Sequence, residues 1–172
     1  MKRVVFTLTV LLVVAGVAAS QEMPKPGPEH KAMDVFAGSW EFNADLKPGP
    51  MGPGGKVHTK DTCTWFDGGF ALVCNGAGEN PAGKTKSVAI MTYDANRKVY
   101  TYTGVESGMP VAFASGKKTG DTWVYTAEDA GMKSRVTIQV TSQTSYTMKF
   151  EMSTDGSTWM TVMEGTAKKT ST

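Results

Sequence analysis

Apolar and polar residues alternate with a period of two along most of the chain after Gly38, which is the pattern of half-buried β-strands. In the first such stretch, Trp40, Phe42 and Ala44 alternate with polar residues. Similar stretches separated by turn residues bring the count to about ten strands, at the spacing of roughly 8–12 residues that is typical of sandwiches and barrels. Short connections make neighbours in sequence pair as antiparallel strands. The pattern therefore predicts an all-β, antiparallel up-and-down barrel, which leaves no free sheet edge, with a β-sandwich as the alternative.

One short helix precedes the strands. The segment from Pro28 to Gly38 reads PEHKAMDVFAG, with proline and glutamate in its first turn and glycine after its last. Proline and an acidic residue favour a helix start, and glycine favours a stop. Met33 and Phe36 then share one helix face. We expect this face to cover an apolar surface of the barrel.

The stretch from Lys56 to Ala77 predicts a hairpin and a disulfide. If Gly68-Gly69 forms a two-residue loop, counting outward places Cys63 opposite Cys74. A strict two-residue loop makes these cysteines a hydrogen-bonded pair, whereas a four-residue loop reverses that parity. Two facing cysteines in an exported chain are most simply a disulfide.

Large apolar and aromatic side chains on the alternating strands predict the lining of the barrel interior, which is the candidate binding site. The residues assigned to it are Trp40, Phe42, Trp65, Leu72, Tyr102, Phe113, Trp123, Tyr125, Ile138, Met148 and Phe150. Aromatic rings with polar tips suit a pocket. A small barrel can also pack solid with side chains, and alternation alone fits both outcomes.

The N-terminal segment 1–20 has the features of a signal peptide: a basic start at Lys2-Arg3, an apolar run and small residues at Ala18-Ala19-Ser20. We expect a Pro-rich flexible leader at 21–28 and one domain at 29–172. Without Lys2 and Arg3, the 18 basic residues fall to 16, which equals the 16 acidic residues. A neutral mature chain gives no indication of nucleic-acid binding. The sequence predicts a periplasmic or extracellular protein with no stable membrane insertion after cleavage.

Several short patterns together resemble a family of exported bacterial proteins of unknown function that is described as calycin-like. These patterns are GSWE after the helix, the W-x-x-G-G-F of the hairpin, Tyr93-Asp94 at a strand end and VMEGTAKK near the C-terminus. The family is related to lipocalins, fatty-acid-binding proteins and nitrobindins. The resemblance implies a barrel with a central cavity and a small hydrophobic or haem-like ligand. Nitrobindins use an axial histidine near the C-terminus, whereas this chain has histidines only at positions 30 and 58.

No pattern in the chain indicates catalysis or a resident cofactor. His30 and His58 lie in no nucleophile motif, and we interpret both as solvent-facing or edge residues. No cluster of His, Cys or carboxylates has metal-ligand spacing, so we expect no metal. The sequence thus predicts a non-enzymatic carrier of a small hydrophobic molecule, with its protein partner unknown. The alternative is a structural or envelope-interaction domain whose barrel is packed solid.

Overall fold

The structure, a computed structural model, describes residues 25–49 and 52–171. The predicted signal peptide and the first half of the predicted leader lie outside these residues. No helix within the described residues is long and apolar enough to cross a lipid bilayer.

Within the described residues, one helix and ten strands follow each other in sequence. The helix α1 spans Pro28–Ala32 and continues as a 3₁₀ turn at Met33–Phe36. The strands are β1 (Gly38–Leu46), β2 (Gly55–Trp65), β3 (Ala71–Asn80), β4 (Gly83–Asp94), β5 (Val99–Glu106), β6 (Ala112–Thr119), β7 (Thr122–Asp129), β8 (Met132–Ser142), β9 (Ser145–Ser153) and β10 (Met160–Ser171).

All ten strands form one closed antiparallel barrel. Each strand pairs with its neighbours in sequence, and β1 pairs with β10 to complete the ring. Closure hydrogen-bonds the strand edges that an open sheet would expose. The predicted up-and-down barrel with one short N-terminal helix is therefore confirmed, and the sandwich alternative is excluded.

The helix and its 3₁₀ turn pack into one end of the barrel. Met33 is fully buried and Phe36 nearly so, as the 3.6-residue spacing predicts. The indole Nε1 of Trp40 donates a hydrogen bond to the Phe36 carbonyl over 2.8 Å, and Nε1 of Trp65 donates to Asp34 Oδ1 over 2.6 Å. Two tryptophans of the barrel therefore hold the helical segment in place as a plug.

The hairpin between β2 and β3 has the predicted register but a longer loop. Cys63 pairs with Cys74, and Phe66 N donates to Ala71 O over 2.8 Å, so the turn contains four residues. Gly68 and Gly69 have φ of 88° and 72°, a region that suits glycine. Hydrogen-bonded and non-hydrogen-bonded pairs alternate along the hairpin, starting from the hydrogen-bonded pair Phe66–Ala71. Cys63 and Cys74 are therefore a non-hydrogen-bonded pair, as their Cα–Cα distance of 4.0 Å indicates. Their sulfur atoms lie 1.99 Å apart, at disulfide distance, which confirms the predicted pairing.

Replacing both cysteines with alanine should lower the free energy of unfolding by about 2–3 kcal/mol, because the disulfide restricts the conformations of the unfolded chain and so lowers its entropy. Urea denaturation of the oxidised wild type and of the Cys63→Ala/Cys74→Ala variant measures the difference. A reductant should lower the free energy of unfolding of the wild type and leave that of the double variant unchanged. Alkylation of two thiols in the unreduced native protein would contradict the bond.

Candidate functional site

A cavity of about 300 Å³ lies inside the barrel, directly beyond the plug. Most of its lining is apolar, and Phe36 from the plug forms part of it. The lining residues are Phe36, Trp40, Phe42, Asp61, Cys63, Cys74, Ser87, Ala89, Met91, Tyr102, Ala114, Tyr125, Val136, Ile138, Tyr146 and Met148. The barrel therefore contains space for a small molecule.

The structure divides the predicted interior residues between the cavity and the packed core. Trp40, Phe42, Tyr102, Tyr125, Ile138 and Met148 line the cavity. Leu72, Trp123 and Trp65 instead belong to the cluster around the plug, where Phe36 and Trp123 stack edge to face at 5.0 Å. Phe150 lies on the inner register opposite Val136 but does not line the cavity. The plug thus fills one end of the barrel with aromatic rings and leaves the middle less filled.

The assignment of Phe113 to the interior is wrong. Phe113 is 67% exposed and pairs with Thr103 on the outer face, whereas its neighbour Ala114 pairs with Tyr102 on the inner face. The sequence assigned Phe113 to the core because it is the largest apolar residue of this strand. The register places small residues inside because large rings from the adjacent strands occupy that space: a Cβ on Gly116 would meet Tyr125 at 2.8 Å.

Sequence reasoning missed Asp61, the one carboxylate that lines the cavity. The signal was present, because Cys63 and Trp65 are two residues apart in the predicted hairpin and therefore share one face of the strand. Extending that alternation two residues towards the N-terminus places Asp61 on the same face. An acidic residue in an apolar row is ordinarily assigned to the solvent side, and for this reason it was overlooked. Tyr146 was missed similarly, although it alternates with Met148 and Phe150.

Asp61 stands in the cavity wall without a cation. Among the described residues its one hydrogen-bond donor is the Thr59 hydroxyl, which reaches Oδ2 over 2.8 Å, and no Lys, Arg or His pairs with it. Removal of the carboxylate from water raises its pKa above the ordinary value of 3.8, and the Thr59 hydrogen bond only partly opposes this. A Cβ on Gly76 would collide with both Asp61 Oδ1 and Ser87 Oγ, so these two oxygen atoms converge over the glycine.

Three tyrosines share the interior with this carboxylate. Burial raises the pKa of Tyr102, Tyr125 and Tyr146, and the charge of Asp61 raises those of Tyr102 and Tyr146 further. The phenols therefore stay protonated at neutral pH and can donate hydrogen bonds.

The Tyr125 hydroxyl is buried and has no hydrogen-bond partner among the described protein groups. Its residue is only 4% exposed and its side chain lines the cavity. A buried donor without an acceptor costs about 1–3 kcal/mol. An acceptor inside the cavity would remove that cost.

The two histidines lie away from the cavity. His30 is buried, which corrects the expectation of a solvent-facing residue: its Nδ1 accepts from Gly27 N, and its ring contacts Phe70 edge to face at 5.1 Å. His58 lies at the surface beside Asn43. Within the described ranges, no three His, Cys, Asp or Glu side chains are grouped so that they could hold a metal ion.

The model of a family described as "Protein of unknown function (DUF1579)" matches residues 25–169. A search of curated proteins found no match. Among solved structures, the barrel is similar to the S-type phycobiliprotein lyase CPES from Guillardia theta, with a TM-score of 0.56 and 12% identity over 82% of this chain and 92% of that one. It is also similar to Rv2717c from M. tuberculosis, with a TM-score of 0.56 and 13% identity over 83% and 98% of the two chains. At these identities the likeness shows the fold alone.

Asp61→Asn should stabilise the protein at neutral pH. Because the pKa of Asp61 is raised in the folded state, folding binds protons between the ordinary value of 3.8 and the raised pKa. The free energy of unfolding therefore falls as the pH rises through this window, and the ionised carboxylate destabilises the folded state above it. Urea denaturation at pH 7 should show a higher free energy of unfolding for the variant than for the wild type. This difference should shrink towards zero near about pH 3.5.

Asp45→Asn is the matched control, because Lys56 lowers the pKa of Asp45 on the outer face. This variant should show no gain at pH 7. An equal gain for both variants, or none for Asp61→Asn, would contradict an uncompensated charge in the cavity.

Tyr125→Phe removes a buried hydroxyl that has no acceptor in the described part of the protein. The free energy of unfolding should stay unchanged or rise by up to about 1–2 kcal/mol. Thr92→Val provides the comparison, because the Thr92 hydroxyl donates to Phe70 O over 2.5 Å and its loss should cost about 1 kcal/mol. If Tyr125→Phe destabilised the protein as much as Thr92→Val, the hydroxyl would have a partner after all.

Proposed function

From the premise that this chain belongs to the DUF1579 family of proteins of unknown function, we propose that its barrel binds one small, largely apolar molecule. The observation that carries this proposal is the cavity of about 300 Å³ between the plug and the far end of the barrel. Ligand sites begin at about this volume, and an apolar cavity of about 150 Å³ already holds benzene. A molecule of about two fused rings fits the space.

The lining supports binding rather than catalysis. No histidine, lysine or serine–histidine pair stands among the residues that line the cavity, and its ionisable groups are Asp61 and three tyrosines that stay protonated. Nucleophilic catalysis uses a nucleophile with a general base beside it, and no such pair stands in this lining. The likeness to a phycobiliprotein lyase does not transfer that activity to this chain, because it rests on 12% identity.

We place the protein outside the cytoplasm. The sequence of residues 1–20 has the pattern of a secretory signal, and the cysteine pair lies at disulfide distance. Disulfides persist in oxidising compartments and are rare in the cytosol. A carrier in such a compartment would bind its ligand from the surrounding fluid.

A second candidate function, protein interaction, has one observation in its favour. Val88, Ile90, Val105 and Phe113 are all exposed on the outer faces of β4, β5 and β6. Val88 and Val105 are direct cross-strand partners, and Ile90 and Phe113 both pair with Thr103. Contiguous exposed apolar groups commonly mark contact surfaces. This function needs no cavity, so variants that fill the cavity distinguish the two.

Ala89→Leu should weaken binding, because Ala89 lines the cavity and leucine adds three carbon atoms there. Isothermal titration with tryptophol, a neutral two-ring probe, should give one site per wild-type chain and at least a roughly tenfold weaker affinity for the variant. Ala77→Leu is the matched control, since Ala77 is exposed on β3 and pairs with Lys86.

The control variant should bind as the wild type does, and circular dichroism should show the same fold for all three proteins. In parallel, native mass spectrometry of the protein purified from its own host should show a small-molecule adduct in the wild type only. Equal binding by Ala89→Leu and the wild type would place the ligand outside the cavity.

A further inference from the structure

Asp61 is the carboxylate of the cavity lining, and among the described residues no cation lies beside it. On the outer face, Asp45 lies 2.6 Å from Lys56, Glu164 pairs with Lys47, and Glu151 lies 2.8 Å from both Arg135 and Lys149. Asp61 is turned towards the cavity, and among the described residues no basic side chain accompanies it. A carboxylate that leaves water without a cation costs free energy, so a cation from outside would be favourable there.

The geometry leaves one oxygen of Asp61 available. Oδ2 accepts the hydrogen bond from Thr59, whereas no donor of the described chain reaches Oδ1. The position beside Oδ1 is a glycine, Gly76, and Ser87 Oγ borders the same space from β4. A ligand group there would meet a carboxylate, which accepts hydrogen bonds, and a hydroxyl, which can accept or donate them.

Two other features of the lining also favour an organic cation over an anion or a metal ion. Within the cavity lining no side chain is basic, so an anionic ligand would approach Asp61 with no positive charge to offset it. A single carboxylate also lacks the additional oxygen ligands that calcium or magnesium requires. Independently of the charge of the ligand, the unpartnered hydroxyl of Tyr125 supplies a second polar contact, suited to an acceptor on the ligand.

We propose that the barrel selects a small ring-bearing amine, whose protonated nitrogen binds Asp61 while its apolar part fills the cavity. The inference rests on the proposed function and specifies the class of its ligand. The order of preference is a cationic molecule, then a neutral one, then an anionic one of the same shape. Asp61 sets this order because it is the carboxylate of the lining and no basic side chain of the lining offsets it.

Three indole compounds of nearly equal size test this order at pH 7: tryptamine, tryptophol and indoleacetic acid, which are cationic, neutral and anionic. Isothermal titration of the wild type should show tryptamine binding about 10- to 100-fold more tightly than tryptophol, since hydrogen bonds to charged groups contribute about 1.5–3 kcal/mol. Indoleacetic acid should bind more weakly than tryptophol.

Asp61→Asn should reduce the ratio of the tryptamine affinity to the tryptophol affinity to about threefold or less, because the amide has the shape of the carboxylate without its charge. Asp45→Asn changes the same residue type on the outer face and should keep the full preference. The stability of Asp61→Asn, measured by urea denaturation, separates a change of selectivity from a loss of folding.

The outcomes distinguish the preference for an amine from the binding function itself. Equal binding of tryptamine and tryptophol by the wild type, or a preference that survives in Asp61→Asn, would overturn the amine inference and leave the binding function standing. Failure of all three compounds to bind the wild type would overturn both.

Discussion

The pairing of β1 with β10 is the constraint on which the rest of the structure depends. It joins the first and last strands, so a sheet that would otherwise have two edges has an inside and an outside. The strands approach closely because Gly165 has no side chain: a Cβ there would meet the Ala44 Cβ at 2.5 Å. Once the ring is closed, every residue of each strand is assigned to one of two environments by parity alone.

The inside is filled unevenly, and this unevenness creates the candidate site. At one end the helical plug inserts Met33 and Phe36 among the rings of Tyr100 and Trp123, which pack at 4.5 Å from each other. Beyond this cluster, the inner positions include small residues such as Ala89 and Ala114, and the cavity lies beside them. A solid-packed barrel would need larger side chains at these positions. The distribution of size around the ring is therefore what leaves room for a ligand.

Charge is distributed with the same asymmetry between the two faces. On the outer face, several acids have a base nearby, as Glu151 has Arg135 and Lys149. The cavity holds Asp61 without such a base, and it holds the Tyr125 hydroxyl without an acceptor. Both groups lower stability in the absence of a partner and would gain from a suitable ligand. Under the proposed function, stability and binding are opposed at the same residues, which is common in binding sites.

The amino-acid sequence by itself indicated about ten strands, their antiparallel order, the short helix and the pairing of Cys63 with Cys74, whereas the closure of the strands into a barrel rather than a sandwich was settled by the pairing of β1 with β10. These follow from local rules, since a period of two and the glycines of a turn act over a few residues. Tertiary structure alone decided which face of each strand turned inward where both faces carry apolar groups, and there the sequence misplaced Phe113. It also decided that Asp61 faces the cavity, because the environment of a side chain depends on partners from strands distant in sequence. The volume left inside the ring is a sum over all ten strands, and no single stretch of the chain encodes it.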